Sequence, residues 1–207
     1  MRTRIDYLAD KYSFTELNES PRLRQQWQDV LEECRQTEAG PEERLRIALL
    51  NVDYVTSFEL PFRLLLTRTP QLITALREEW GISQKNVVFN DKRFGCVYSL
   101  KASLSGVPDT YRYHLSHRIR RVVGNENTSL PYQQVAREMK APRERLKYAL
   151  EAGLLVSALD GLFWFGSQRI AADVLRLRQS RMPIVTTNVE VHDNLTGTTR
   201  KVPAYHL

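Results

Sequence analysis
Cysteine is scarce: Cys34 and Cys96 are the only two among 207 residues. They are too few and too scattered for a disulfide framework, which excludes small stapled folds and fits a reduced, cytosolic setting. Long apolar runs are missing as well. The longest, such as Leu64-Leu65-Leu66 and Leu162 to Phe165, fall well short of a membrane-spanning helix. The opening Met1-Arg2-Thr3-Arg4 has no apolar core behind it, so no signal peptide is expected. Also absent are a Gly-rich phosphate loop, a nucleophile elbow and a zinc-protease pattern. No carboxylate pair or Ser/His/Asp grouping asks for catalysis, and the expectation is a chain without enzymatic step, metal or cofactor. His114-x-x-His117 has metal-like spacing, but no Cys, Asp or Glu cluster accompanies it.

What the chain does have is a repeat. Residues 41–49 read P-E-E-R-L-R-I-A-L and residues 142–150 read P-R-E-R-L-K-Y-A-L, an offset of 101. At that offset, without a gap, Val55 falls on Val156, Phe62 on Phe163, Arg68 on Arg169 and Leu76-Arg77 on Leu177-Arg178. Between residues 41 and 77, 11 of 37 positions are identical, where composition alone gives about two. Both copies end in β-like segments with the same closing signature, Tyr98-Ser99-Leu100 and Tyr205-His206-Leu207. A duplicated module therefore sets the organisation. The expected parts are an N-terminal helical segment (1–40), a first domain (41–100), a basic helical connector (101–141) and a second domain (142–207).

In the first segment, Ser20-Pro21 opens a helical run with Leu23, Trp27, Val30, Leu31 and Cys34 on one face. That stripe serves either a core or a dimer contact, so a homodimer stays open. In the first copy a helix over 42–51 carries Leu45, Ala48 and Leu49 inward. Thr56-Ser57-Phe58-Glu59 is a capping-box pattern, and Pro61 is tolerable only in the first turn that follows. A third helix spans 69–80 and stops at Gly81. Strands over 86–90 and 94–100 follow, around Asn90-Asp91-Lys92-Arg93. Copy two gives the same succession: a helix over 143–152, a second opened by Ser157 with Asp160 as return partner, a third from 168 to about 180, and strands over 184–191 and 201–207. Three helices and then a hairpin, at this size, make a winged helix. The expected fold class is mainly α with small β-hairpins (α+β), as tandem winged-helix domains. A rival register reads 133–139 and 143–152 as a helix-turn-helix, with 156–165 a hairpin turning on Asp160-Gly161.

The formal net charge of +6 is unevenly spread: −2 over 1–40, +1 over 41–100, +4 over 101–141 and +3 over 142–207. The basic surplus suits an anionic partner, most simply nucleic acid.

From Arg143 to Leu207 the second copy resembles the small winged-helix "helix-turn-helix domain" proteins common in phages and prophages. The likeness rests on Val156-Ser157, Phe165-Gly166, Arg169, Leu177-Arg178, Pro183-Ile184, Val185-Thr186 and Tyr205-His206-Leu207. That family usually carries a glycine before its wing, where this chain has Arg181-Met182. The resemblance covers about a third of the chain and implies DNA binding, on a mobile element.

In a winged helix the third helix enters the major groove and the wing lies along phosphates or the minor groove. On the solvent side of copy two's third helix are Gln168, Arg169, Asp173, Arg176 and Gln179. Arg and Gln make bidentate contacts to guanine and adenine edges, so Arg176 and Gln179 are the expected base readers. The wing offers Asn194, Thr198, Arg200 and Lys201 for phosphate oxygens. Copy one offers Gln71 and Thr74 on its third helix and Lys92 and Arg93 on its wing, but also the acids Glu78-Glu79. Arg178 and Arg77 are expected to pair with the capping carboxylates Asp160 and Glu59. The connector 111–123, read as a helix, adds Arg118 and Arg121 as backbone-phosphate contacts. The expected role is a sequence-specific, double-stranded DNA-binding transcriptional regulator of phage or plasmid type, cytoplasmic and nucleoid-associated, with no membrane partner. A replication-initiation accessory and a protein-binding adaptor are the alternatives.

Overall fold
The computed structural model describes residues 4–9, 13–14, 20–89, 91–107, 113–114, 119–123, 126–167 and 169–207. The chain is mixed α and β, and its contacts divide it into two compact units. One comprises Ala9–Arg118 and Leu195–Gly197; the other comprises Met1–Leu8, Ile119–Asn194 and Thr198–Leu207. We call them the repeat-one and repeat-two units. The first strand, β1 (Arg4–Ala9), pairs within the repeat-two unit.

The repeat-one unit holds β2 (Ser13–Phe14), α1 (Pro21–Gln36), α2 (Pro41–Asn51), β3 (Val55–Thr56), α3 (Leu60–Arg63), α4 (Thr69–Trp80), β4 (Ser83–Phe89), β5 (Lys92–Ser99) and β6 (Tyr113–His114). Helix α1 begins where Ser20 Oγ accepts the Leu23 N–H at 3.1 Å, satisfying one of the free donors of the first turn. Its stripe of Leu23, Trp27, Val30 and Cys34 is buried, so the core reading of that stripe holds. Pro61 falls in the first turn of α3, where the missing N–H has no intrahelical partner to lose. Gly81, at φ 63°, ends α4 in the left-handed region. The sheet runs β3-β5-β4, with Val55 opposite Tyr98. Its third strand therefore lies between the other two.

The repeat-two unit continues with β7 (Ile119–Val123), β8 (Glu126–Asn127), α5 (Ser129–Glu138), α6 (Pro142–Glu151), β9 (Val156–Ser157), α7 (Ala158–Phe163), α8 (Ile170–Gln179), β10 (Val185–His192) and β11 (Thr199–His206). Its six-stranded sheet has the order β8-β7-β1-β10-β11-β9. The last three reproduce the repeat-one arrangement: Val156 is opposite Tyr205, as Val55 is opposite Tyr98. Tyr132, Val135, Leu146, Leu150, Phe165, Ile170, Val174, Leu177 and Tyr205 close the core beneath it.

Two details repeat between the copies from equivalent positions, and two more repeat in kind from different ones. Glu59 Oε2 accepts from Thr56 N and Oγ1 at 2.9 and 2.7 Å, and Asp160 Oδ2 accepts from Ser157 N and Oγ at 2.8 and 2.9 Å. Arg44 donates to the carbonyls of Ala39 and Leu64, and Arg145 to those of Met139 and Phe165. Each capping carboxylate also has a buried arginine. Arg63 Nε lies 2.8 Å from Glu59 and Arg121 Nη1 lies 3.7 Å from Asp160. Each of those guanidiniums in turn covers an aromatic ring, Arg63 that of Trp27 in α1 at 4.6 Å and Arg121 that of Tyr132 in α5 at 4.4 Å. The likeness thus reaches upstream of Pro41 and Pro142 to α1 and α5.

Several expectations need correction. Among the described residues of 1–40, helix begins at Pro21, and β1 and β2 precede it. In the connector, the described residues of 111–123 form β6 and β7 rather than the expected helix. Ile119, Val122 and Val123 are β-branched and sit next to β1 in the sheet, and the charge pattern that suggested a helix carried no apolar stripe. The unit boundary accordingly falls between 118 and 119. The rival register is half right. Helices α5 and α6 both exist, but 158–163 is helix, because Gly161 is there for packing and not for a turn. A Cβ on Gly161 would meet Ile170 Cδ1 at 2.5 Å and Cβ at 3.0 Å, so only glycine lets α7 approach the start of α8.

Candidate nucleic-acid interface
Helix α8 buries Ile170, Val174 and Leu177, and this fixes what it turns outward. Ala171, Leu175, Arg176, Arg178 and Gln179 are exposed, with Ala172 and Asp173 half-buried. Arg169 is exposed at the N-terminal boundary of the helix and Arg181 just past its end. Arg176 and Gln179 lie one turn apart, and neither side chain bonds to any described residue. Arg169 is equally unengaged, as is its repeat-one equivalent Arg68, and both occupy the N-cap position of their helices. A free guanidinium and a free amide on one helical face can present paired donors and acceptors to a planar partner.

The neighbouring side chains are tied down. Asp173 accepts the Ser167 hydroxyl at 2.8 Å in the first turn of α8, where its charge also complements the helix dipole. Its carboxylate is therefore partly spent on helix initiation. Arg178 donates to Ile184 O at 3.0 and 2.9 Å and to Thr186 Oγ1 at 2.7 Å, clamping α8 to β10. The expected pairing of Arg178 with Asp160 does not form. Arg77, expected on Glu59, donates to Gln84 Oε1 at 3.1 Å. Both arginines tie the third helix to the hairpin's first strand; Arg121 and Arg63 serve the carboxylates.

On the β10–β11 hairpin the turn closes through Asp193 N to Thr198 O at 2.8 Å, with Gly197 at φ 74°. Arg200 Nε lies 3.4 Å from the buried Asp193 carboxylate, so this cation braces the turn and is only partly available outward. Asn194 and Lys201 are exposed, and Thr198 is half-buried.

Repeat one presents a different surface. On α4, Gln71 and Thr74 are exposed, but the Thr74 hydroxyl turns back onto Pro70 O at 2.8 Å. Where Arg176 and Gln179 stand in α8, α4 has Ala75 and Glu78, followed by Glu79. Its hairpin carries exposed Lys92 and Arg93, with Arg93 Nη2 3.1 Å from Cys96 Sγ.

Among the expected contacts, Arg121 is withdrawn. It is 3 % exposed, donates to Leu155 O at 2.9 Å and stacks on Tyr132. A guanidinium spent in this way cannot reach a phosphate. Gln168, Arg118 and His117 lie outside the described residues. Among the described residues no metal-binding group of three or more ligands occurs, and no helix is long and apolar enough to cross a membrane. Two surface residues were not foreseen: Arg181, exposed just past the end of α8, and Leu175, 57 % exposed on the helix's outward face. The place of Leu175 four residues after Ala171 and four before Gln179 was readable from the helical period. No family model, curated protein or solved structure matches the chain at a significant level.

Proposed function
We propose that this chain is a sequence-specific, double-stranded DNA-binding protein built from tandem winged helices, and that it acts in transcription regulation without an enzymatic step. In each copy the order helix, strand, helix, helix, hairpin, with the third strand between the other two, supports the winged-helix reading. The observation that carries the function is the free Arg176–Gln179 pair on α8, the helix that a winged helix places in the major groove. Arg reads guanine O6 and N7, and Gln reads adenine N6 and N7. Arg169 and Arg181 at the ends of α8, with Lys201 on the hairpin, supply phosphate contacts that set register.

The two copies divide the work. Helix α8 reads sequence. Helix α4, with Glu78 and Glu79 outward, repels phosphates along its second half, so repeat one contributes through Lys92 and Arg93 instead. The same two acids favour a second reading for repeat one, a protein-binding face.

The test is selection of duplexes from a random pool, followed by anisotropy titrations with the selected and a scrambled duplex. Arg176→Ala should weaken the selected duplex by about 1–3 kcal/mol and leave the scrambled one nearly unchanged. Lys201→Ala should weaken both alike and reduce the salt slope by about one. An Arg176→Ala effect equal on both duplexes would remove α8 from sequence reading.

A further inference from the structure
We infer that Leu175 is a specificity-determining residue that contacts the C5-methyl group of a thymine, so that the recognised site contains a required thymine beside the base read by Arg176. This inference rests on the DNA-binding reading and adds to it a third chemical contact, apolar rather than hydrogen-bonded.

A solitary exposed leucine means nothing by itself. This one sits at the centre of the outward face of α8, with Ala171 one turn before it and Gln179 one turn after it. Ala171 and Ala172 carry only methyl groups, so that face is shallow and allows the helix backbone close to a groove floor. Around the strip stand Arg169, Arg176 and Arg181, none of them bonded to a described side chain. An apolar centre within a cationic rim matches the major groove, whose floor carries the thymine methyl and whose walls are phosphates. It matches a protein partner poorly. One leucine and two alanines are far less than the roughly 1,000 Å² a stable interface needs. Two copies of this face brought together would also juxtapose their arginines.

The corresponding residue of repeat one is Thr74, whose hydroxyl is engaged by Pro70 O. Around it stand Gln71, Ala75 and Glu78, and of the three rim arginines only Arg169 has a counterpart, Arg68, so the methyl contact is assigned to α8 alone.

Deoxyuridine differs from thymidine only by the missing methyl, which makes the test direct. Each thymine of the selected duplex is replaced in turn by deoxyuridine, and affinities are measured for the intact protein and for Leu175→Ala. Leu175 is exposed, so the variant keeps its fold, which a thermal melt verifies. The expected result is one position at which the wild type loses about fourfold, the worth of one buried methyl group, while Leu175→Ala loses nothing further there. The inference is overturned if no replacement affects the wild type, or if Leu175→Ala remains as sensitive as the wild type. It is also overturned if sizing shows a wild-type dimer that Leu175→Ala dissociates. Failure of the wild type to bind any duplex defeats the DNA-binding reading itself. Binding with indifference to every deoxyuridine defeats this inference alone.

Discussion
At the scale of single residues, arginine is used in two ways that the sequence does not distinguish by type. Arg63 and Arg121 are buried against a carboxylate and over an aromatic ring, whereas Arg169, Arg176 and Arg181 are free at the surface. Breaking a buried pair from one side leaves an uncompensated charge, which costs about 3–5 kcal/mol, while removing both charges costs far less. Arg63→Met should therefore be strongly destabilising in denaturant titration, and Glu59→Gln combined with Arg63→Met should recover much of the loss. A double variant as unstable as the single one would contradict this use of the pair. Arg181 sits at φ 67°, a region that costs a non-glycine residue about 1–2 kcal/mol. Arg181→Gly should raise the melting temperature by a few degrees, the relief of strain outweighing the added freedom of the unfolded chain; an unchanged or lowered value would contradict this. Tyr98 tests burial through pH. Burial, reinforced by the neighbouring Cys96, pushes its hydroxyl up to about 12. The stability this represents is complete below pH 10 and is lost as pH rises towards 12, the sign expected when the unfolded chain gives up its proton first. Ultraviolet titration should show a late tyrosine ionisation near pH 12 that Tyr98→Phe removes.

The helices and hairpins show which signals in the sequence carried structural information. Helix α4 spans 69–80 as its apolar spacing and Gly81 require, and α8 and both hairpins fall within a few residues of expectation. Pairs local in sequence, such as Thr56 with Glu59 and Ser157 with Asp160, were legible because capping needs a fixed spacing. Contacts without a period were not. Arg121 reaches Asp160 across 39 residues, and β1 joins β10 across most of the chain; no local pattern announces either. The connector misled because basic residues at helical spacing do not make a helix when the apolar residues between them are β-branched. The Arg63–Glu59 pair could have been found, since i and i+4 are neighbours on a helix. Gly161 resembles a turn signal but serves as a packing notch, so Gly161→Ala should separate α7 from α8. The expected cost is about 1–3 kcal/mol, read as a lowered denaturation midpoint. A neutral substitution would mean that Ile170 yields without strain.

For the whole molecule, the duplication was readable from sequence, and the two copies have since diverged in charge. Repeat two keeps an open basic and amide face on α8; repeat one has replaced it with Ala75, Glu78 and Glu79. Under the proposed function, duplex binding should depend markedly on salt, each neutralised phosphate contributing about −0.9 to the slope of log K against log salt. On the same proposal, sequence preference should come from one helix while both copies supply charge. The measurement that tests this most directly is backbone-amide NMR of the intact protein titrated with the selected duplex. The largest perturbations should fall on residues 169–179, with smaller ones around Lys92, Arg93 and Lys201. Perturbations centred on α4, or a helix α8 left unmoved by saturating duplex, would contradict it.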